Sequence, residues 1–376
     1  MHIAMIASTH PPTDARVAYK EAGTLIDAGH RVSFLGLVNG EYPSHNRMEV
    51  HLLPRPKNRF LRVLKGKKLA RKALEIDADA YIIHDTEVLY IAKRLAAKGK
   101  TIIHDAHEPY PDFIAEKGWV PALIKPITKR IVAKMEMTGV KNCAGIIVAM
   151  KANEERLRSA QKPILRLHNY PLMTDALAEL PPKENLILYV GGLLRVRKIR
   201  ELLLLSENVG TPGILESWKM KIIGPVLDLE LWKSCQVEAK RFRENKNCEL
   251  VDKRLPYGKI MAEIEAAKIG LSFLIPTEKY DKCISTKVFD YMAKGTIPIA
   301  TWLSSYEGLI TDADGPIFIP AGDEDKVPQI IADLVRDENA MRQRAETCLR
   351  SVREKFNWEA DAQHLPEFIE RITGKE

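Results

Sequence analysis

Short apolar runs alternate with amphipathic segments along almost the whole chain, and this alternation is typical of parallel β-α-β units. The first series of apolar runs covers residues 2–7, 31–37, 80–84, 101–105 and 145–149, with helices near 17–28 and 88–98. A second series covers residues 186–190, 220–223, 248–251, 270–274 and 297–300, with a helix near 200–206. The sequence therefore predicts an α/β protein with two Rossmann-like domains, each built on a doubly wound parallel sheet.

Weak periodicity between the two series marks the boundary between the predicted domains. The 376 residues are too many for one typical core, and they suit two domains of about 170 residues each. We predict an N-terminal domain over 1–170, a hinge over 171–184 and a C-terminal domain over 185–356. Residues 357–376 are predicted to form a helix that packs back on the N-terminal domain.

Composition and simple motifs argue against several classes of protein. The start, MHIAMIAS, has no basic region or cleavage site, and we interpret it as a strand rather than a signal peptide. No apolar run approaches the roughly 20 residues needed to span a bilayer. The five cysteines are scattered without a Cys-x-x-Cys pair, which favours free thiols in a cytoplasmic protein. Neither domain carries G-x-G-x-x-G after its first strand, which argues against a dinucleotide-dependent dehydrogenase.

A chemically marked helix lies before Gly295 in the second domain. Ser or Thr is a good N-cap and Gly a good helix stop, so the sequence predicts a helix that begins at Lys287. A helix N-terminus offers backbone N–H groups to an anion, and a carboxylate one turn further can accept from a diol. We predict that Asp290 binds a ribose and that a diphosphate lies at the helix start, on Ser285, Thr286 and Lys287. The alternative is an ordinary crossover helix with a solvated face.

Two more cations follow the first strand of the second domain. Arg197 and Lys198 lie in or just past the strand-to-helix loop that begins with VGG. Ligands of open parallel sheets bind at the carboxyl ends of strands, so these cations are placed to reach the same diphosphate. The alternative is a solvated basic loop.

Polar residues also gather at one predicted sheet edge of the first domain. The strand at 101–105 ends in His104 and Asp105, and strict alternation predicts that one of them is buried and the other exposed. We expect His107 to follow on a loop that faces a cleft. Other side chains expected on the cleft side are Asp14, Arg16, Asp85 and Glu108.

Short motifs recur in a fixed order along the chain: D-x-R-V followed by KEAGTLIDAGHRV, HDTEVL, DAHE, HNYP, YVGG with Arg197-Lys198, LPYGKI, KVFDYMAKG and FNWE. In this order they resemble glycosyltransferase family 4, whose members are retaining enzymes of the GT-B fold. The resemblance covers nearly the whole chain. It implies two Rossmann-like domains that face a cleft, with the acceptor on the first domain and the nucleotide sugar on the second.

The resemblance also implies a reaction and roles for individual residues. A hexose would pass from a nucleotide diphosphate sugar, with retention, to a lipid-linked or polysaccharide acceptor in cell-surface glycan synthesis. Arg197 and Lys198 would hold the donor diphosphate and Asp290 its ribose, and His107 would be the catalytic residue near the transferred sugar. No cofactor and no metal are expected, because cations and helix N–H groups can carry the leaving group's charge.

Two alternatives to this reaction remain open on the same fold. One is a catalytically silent relative that binds nucleotide or glycan as a partner or regulator. It is suggested by Lys282, which stands eight residues before Asp290, where the family often has a second acid. The other is an epimerase, which would isomerise a sugar without an acceptor.

The net charge of +7 is unevenly distributed, because residues 1–170 hold 28 Lys and Arg against 17 Asp and Glu. Two basic, partly apolar stretches, 51–74 and 118–136, suit an anionic membrane surface. The alternatives are a solvated face for the first and a core-packed helix for the second. We predict a cytoplasmic protein, peripheral at the inner face of the membrane, with no nucleic-acid partner. The residues predicted to face the membrane are Arg59, Phe60, Lys65, Lys68, Trp119, Lys125 and Lys129.

Overall fold

The computed structural model describes residues 1–39, 42, 47–56, 66–115, 120–213 and 215–374. The chain divides into two compact units. Unit 1 comprises Met1–Asn169 and Trp358–Glu376, and unit 2 comprises Tyr170–Asn357. Four of the predicted membrane-facing residues lie outside the described residues: Arg59, Phe60, Lys65 and Trp119.

Unit 1 is built on a parallel sheet of seven strands in the order β3-β2-β1-β4-β5-β6-β7. Its strands are β1 His2–Ala7, β2 Arg31–Leu37, β3 Glu49–Leu53, β4 Ala80–Ile83, β5 Thr101–Ala106, β6 Gly145–Val148 and β7 Ile164–Arg166. The helices that connect these strands are α1 Ala22–Asp27, α2 Gly66–Ile76, α3 Ala92–Ala96, α4 Tyr110–Ala115, α5 Lys125–Val140 and α6 Lys151–Leu157.

Unit 2 repeats this arrangement with six parallel strands in the order β10-β9-β8-β11-β12-β13. Its strands are β8 Glu184–Val190, β9 Lys219–Ile223, β10 Cys248–Val251, β11 Ala267–Ser272, β12 Ile297–Thr301 and β13 Ile317–Ile319. Its helices are α7 Ile199–Leu204, α8 Leu229–Ser234, α9 Gln236–Glu244, α10 Tyr257–Ala266, α11 Thr286–Ala293, α12 Val327–Arg336 and α13 Glu338–Glu354. The predicted pair of doubly wound parallel sheets is therefore confirmed.

Single helical turns extend several of these elements. A π-helix, Ala15–Glu21, leads into α1, and 3₁₀ turns lie at Thr86–Ile91, Ala122–Ile124, Arg158–Ala160, Met173–Asp175, Arg195–Arg197, Leu205–Asn208, Tyr280–Lys282, Ser304–Tyr306, Asp312–Asp314 and Glu324–Lys326. Two last helices, α14 Trp358–Ala362 and α15 Leu365–Thr373, belong to unit 1. They replace the continuous helix expected near the end of the chain. Among the described residues, no helix combines the length and the apolarity that crossing a bilayer requires.

The expectation that only one of His104 and Asp105 is buried is wrong, because both side chains are fully buried. They lie on β5, an interior strand whose neighbours are β4 and β6. Interior strands of a parallel sheet are covered on both faces, so strict alternation does not apply to them. Both make polar contacts inside the unit: His104 Nδ1 lies 2.9 Å from the carbonyl oxygen of Ile83, and Asp105 accepts a hydrogen bond from Arg16 at 3.1 Å.

Candidate functional site

Each sheet has one point at which the order of its strands reverses, and the predicted site residues gather there. In unit 1 the reversal lies between β1 and β4, and in unit 2 it lies between β8 and β11. Ligands of doubly wound sheets bind outside the carboxyl ends of the strands at such a point. Each unit therefore carries one candidate binding region.

In unit 2 two glycines bring the loops after β8 and β9 into close contact. Gly191 and Gly224 have φ angles of +152° and +153°, which side chains rarely allow. A Cβ on Gly224 would lie 1.9 Å from the carbonyl oxygen of Gly191. The contact is held by hydrogen bonds from Gly191 N–H to the Ile223 carbonyl, at 2.8 Å, and from Leu193 N–H to the Pro225 carbonyl, at 2.9 Å. Only residues without a side chain allow the two loops to approach this closely.

Two cations flank this glycine turn. A Cβ on Gly191 would lie 2.9 Å from both Arg197 Nη1 and Lys287 Nζ, so the two charged groups come from different elements to one place. Burial and the charge of Arg197 lower the pKa of Lys287 to about 7, although the charge of Asp290 opposes the shift. The Nε atom of Arg197 is buried and has no hydrogen-bond partner among the residues that the structure describes. Like charges held this close favour binding of an anion between or beside them.

Lys198 has a different environment from that of Arg197. It adopts a left-handed backbone, with φ +54°, at the start of α7. Its Nζ atom lies 3.3 Å from Glu324 and 3.5 Å from Glu201, and the Glu324 side chain is buried. The cation that lies beside Arg197 is therefore Lys287, whereas the charge of Lys198 is neutralised by two carboxylates.

Helix α11 begins at this same position. The helix starts at Thr286, one residue before the predicted start, and Ser285 is its N-cap residue. The Ser285 side chain makes no capping bond, and its Oγ lies 3.1 Å from Ser272 Oγ. Gly295, at φ +63°, follows the C-cap residue Lys294. One turn inside the helix lies Asp290, and burial together with the charge of Asp290 raises the pKa of Tyr257. An uncapped helix N-terminus, two cations and a nearby carboxylate match the needs of a nucleoside diphosphate.

In unit 1 Asp85 links the strand ends on the two sides of the reversal. Its carboxylate accepts hydrogen bonds from the Ser8 N–H at 2.6 Å, from the Thr9 N–H at 3.0 Å and from the Thr9 hydroxyl. Burial opposes ionisation, but the charge of His10 and these hydrogen bonds outweigh it, and the pKa of Asp85 is lowered. Asp85 therefore fixes the loop after β1 against the end of β4.

His10 and Asp14 form an ion pair on that loop. Their Nδ1 and Oδ2 atoms are 3.2 Å apart, and His10 Nε2 lies 3.6 Å from Asp85. Burial lowers the pKa of His10, yet its hydrogen bond to Asp14 and the charge of Asp85 raise it to about 9. Asp14 also accepts from the backbone N–H groups of Arg16 and Val17, so it caps the π-helix. At neutral pH this edge of unit 1 presents a protonated imidazole.

Arg16 was expected to open onto this edge, but it lies below the surface and is 4% exposed. Its guanidinium donates to Asp105 at 3.1 and 3.3 Å and to the Leu167 carbonyl at 3.1 Å, and it lies 2.8 Å from Glu21. Burial and the charge of Asp105 raise the pKa of Glu21 well above its usual range, which favours the protonated acid. Arg16 therefore ties β1, β5 and the segment after β7 together, and it is not among the residues that line the cavity described below.

Asp105 also orients two imidazoles. The Nδ1 atoms of His84 and His107 each lie 3.0 Å from Asp105 Oδ2, which fits donation of an Nδ1–H by both rings. Burial opposes ionisation of Asp105, but Arg16 and the imidazoles hold its pKa well below its usual range. Desolvation lowers the pKa of His84, so that ring is neutral.

The triad of His84, Asp105 and His107 offers the atom types of a metal site, within 4.8 Å of one another. The contacts fit hydrogen bonds better. The Arg16 guanidinium already forms an ion pair with the Asp105 carboxylate at 3.1 Å, and a positive charge so close would repel a divalent ion.

A cavity of ≈ 320 Å³ lies above this triad. His10 and His107 form one wall, with their ring centroids 4.9 Å apart. The other lining residues are Thr9, Arg55, His84, Asp85, Thr86, Glu87, Ala106, Glu108, Tyr110, Phe113 and Ile114. Two predicted residues besides His107, namely Asp85 and Glu108, therefore line this cavity. Carboxylates beside aromatic rings suit a ligand rich in hydroxyl groups.

A larger groove of ≈ 780 Å³ in unit 2 lies between Met173, Leu180 and α13. None of the predicted site residues lines it, so we do not assign the site there.

Sequence reasoning missed several residues that build these regions. Gly191, Gly224, His10 and Glu21 were not predicted to contribute. His10 could have been found, because it follows β1 closely at the reversal. The glycines could not, since their role depends on the contact between two loops.

Known proteins resemble this chain in structure rather than in sequence. No family model and no curated protein matches the chain. The chain is similar to a sucrose-phosphate synthase from Thermosynechococcus elongatus, with 14% identity, a TM-score of 0.73 and coverage of 100% of this chain and 99% of that one.

Two further structures share the architecture. The first is Alr3699/HepE from Anabaena in complex with UDP, with 11% identity, a TM-score of 0.75 and coverage of 99% and 100% of the two chains. The second is a trehalose-6-phosphate protein from E. coli bound with UDP-2-fluoro glucose, with 11% identity, a TM-score of 0.69 and coverage of 99% of both chains. These neighbours are GT-B glycosyltransferases. At this level of identity they confirm the predicted GT-B fold class.

Proposed function

We propose that this protein is a retaining glycosyltransferase of family 4. It moves a hexose from a nucleotide diphosphate sugar to a lipid-linked or polysaccharide acceptor at the inner face of the cytoplasmic membrane. One observation carries the proposal: Arg197 and Lys287 meet at the Gly191 turn, beside the N-terminus of α11 and at the strand reversal of unit 2. Neighbours solved with UDP and with UDP-glucose add support.

In this proposal unit 2 binds the donor. The diphosphate lies on Arg197, Lys287 and the first N–H groups of α11, where Ser285 and Thr286 stand. Lys198 stabilises the loop through its ion pair with Glu324, and Arg197 and Lys287, rather than Lys198, are the primary phosphate contacts. Asp290 accepts from the ribose hydroxyls. These cations stabilise the negative charge that develops on the leaving diphosphate, which is the main catalytic requirement of this chemistry.

Unit 1 provides the acceptor region and the group near the transferred sugar. His107, oriented by Asp105, presents its second ring nitrogen to the cavity that Asp85 and Glu108 also line. The Nε2 atom of an imidazole in that position can form a hydrogen bond with a sugar hydroxyl. His107 therefore positions or polarises the transferred sugar.

The test measures transfer, or slow donor hydrolysis, with a panel of UDP-, GDP- and ADP-sugars. We expect one donor to turn over, and we expect the double substitution Arg197→Gln, Lys287→Gln to lower its kcat/KM by at least a hundredfold, since each charge-assisted contact contributes roughly 1.5–3 kcal/mol. Lys240→Gln, on the exposed surface of α9, is the matched control. If the unmodified protein neither hydrolyses nor transfers any sugar of the panel, the enzyme proposal is abandoned.

The second candidate is a catalytically silent relative that binds nucleotide as a partner or regulator. The neutralisation of Lys198 by two carboxylates and the pairing of Lys282 with Glu278 at 3.3 Å favour it. A thermal-shift series separates a binder from a non-binder, because nucleotide at 100 times its Kd should stabilise the protein by roughly 2.7 kcal/mol. A shift without turnover would then support the silent relative.

A further inference from the structure

Five large apolar side chains form an exposed strip on unit 1. Their exposed fractions range from 46% for Ile124 to 93% for Leu123. The strip begins on the 3₁₀ turn Ala122–Ile124 and continues along α5. Its members, named the apolar strip below, are Leu123, Ile124, Ile127, Ile131 and Met135. The sequence alternative of a core-packed helix is therefore wrong for this face.

The opposite face of α5 is firmly anchored, so the strip cannot turn inward. Glu136 is fully buried and pairs with Arg156, whose Nη2 atom lies 3.2 Å from Glu136 Oε1. A Cβ on Gly139 would lie 2.5 Å from the Leu89 side chain, so the C-terminal end of α5 is closely packed as well. Lys129 pairs with Asp112 and is half-buried. The exposure of the strip is thus built into the packing of the unit.

The charged residues of the segment that carries the apolar strip are all basic. Residues 120–135 contain four cations and no acid. Helical spacing places Arg130 and Lys134 beside the apolar strip, and both are exposed. On α2, Lys67, Lys68 and Arg71 are exposed as well. Of the residues first predicted to face a membrane, Lys125 and Lys129 are half-buried. The side chains of the apolar strip are more exposed and are therefore the better candidates for a contact with a membrane.

We propose that the apolar strip, with Arg130 and Lys134 beside it, binds the surface of an anionic lipid bilayer. Leu123 and the isoleucines enter the interface, while the two cations meet the lipid headgroups. Charge complementarity decides against a second copy of this chain, because a symmetric contact would bring Arg130 and Lys134 close to their own copies. The inference rests on the proposed function for the location of the acceptor, but its test needs no turnover.

The experiment is co-sedimentation of the full chain with vesicles of phosphatidylcholine alone and of phosphatidylcholine mixed with phosphatidylglycerol. We expect binding to the mixed vesicles only, weakened by salt. The variant Ile131→Gln, Lys134→Gln should bind at least tenfold more weakly, since one cation near the surface is worth about fivefold and an inserted isoleucine adds to it. The matched control is Val237→Gln, Lys240→Gln, which has the same spacing and similar exposure on α9 of unit 2 and should bind like the unmodified protein.

The melting temperature of each variant without any ligand shows whether it is folded, so this test does not depend on nucleotide binding and stays separate from that of the proposed function. Equal binding to both kinds of vesicle, no binding to either, or unchanged binding by the strip variant would each overturn the inference. Self-association that the strip variant abolishes, in a protein that ignores vesicles, would instead assign the strip to a second copy of the chain.

Discussion

At the scale of single residues, the candidate donor site depends on an unfavourable pairing that a ligand can relieve. Arg197 and Lys287 both flank Gly191, and the pKa of Lys287 is about 7 because of its burial and the charge of Arg197. A diphosphate placed beside Lys287 would stabilise its protonated form and raise that pKa. Binding should therefore take up a proton at neutral and alkaline pH.

The first prediction concerns the pH dependence of nucleotide binding. The affinity for UDP, GDP or ADP, whichever binds, should fall by up to tenfold per pH unit as the pH rises above about 7, since the free lysine is protonated only below its lowered pKa. Calorimetry in two buffers of different ionisation enthalpy counts the protons taken up. In Lys287→Arg the cation persists at every pH, so the dependence should disappear while binding remains. A dependence that Lys287→Arg leaves unchanged would assign the titration to another group.

At the scale of secondary-structure elements, the sequence predicts those whose signals are local. The boundaries of α11 were predicted to within one residue, because Ser285 and Gly295 mark them chemically. The short strands β3, β7 and β13 were missed, since they lie at or near sheet edges and lack a clear apolar run. Local signals also decide which site residues can be predicted. Arg197 and Lys287 were both predicted to bind the diphosphate, whereas the Gly191–Gly224 contact was not predicted because it depends on two loops meeting.

The second prediction tests that contact between loops. Gly224→Ala should weaken nucleotide binding by at least tenfold, because the new Cβ would meet backbone atoms of Gly191 at 1.9 and 2.5 Å, and φ +153° is strained for alanine. A loss of roughly 1–3 kcal/mol in the free energy of unfolding should accompany it. Gly258→Ala, on α10, is the control and should retain both properties, because a Cβ added there would meet no atom within 4 Å. Unchanged nucleotide affinity in Gly224→Ala would show that the loop contact does not shape the site.

At the scale of the whole molecule, the chain returns to its first unit at Trp358. The indole is 1% exposed, and its N–H donates to the Thr24 hydroxyl at 2.8 Å. The Arg16 guanidinium carbon lies 5.8 Å from the ring centroid. Three residues further on, Asp361 Oδ1 lies 3.1 Å from His168 Nδ1. The last two helices thus complete unit 1 although they are remote from the rest of it in sequence.

The third prediction follows from this long-range closure. Trp358→Ala should lower the free energy of unfolding of unit 1 by about 3–5 kcal/mol, the usual cost of deleting a large buried aromatic side chain. Hydrogen exchange should then quicken in peptides from β1, β4 and β5, while peptides from β8 and β11 stay protected. Trp218→Ala, a deletion of similar size inside unit 2, should give the reverse pattern, because Trp218 is 2% exposed and packs in that unit's core. If both substitutions quicken exchange equally in both units, the two units unfold as one, and Trp358 stabilises the molecule as a whole rather than unit 1.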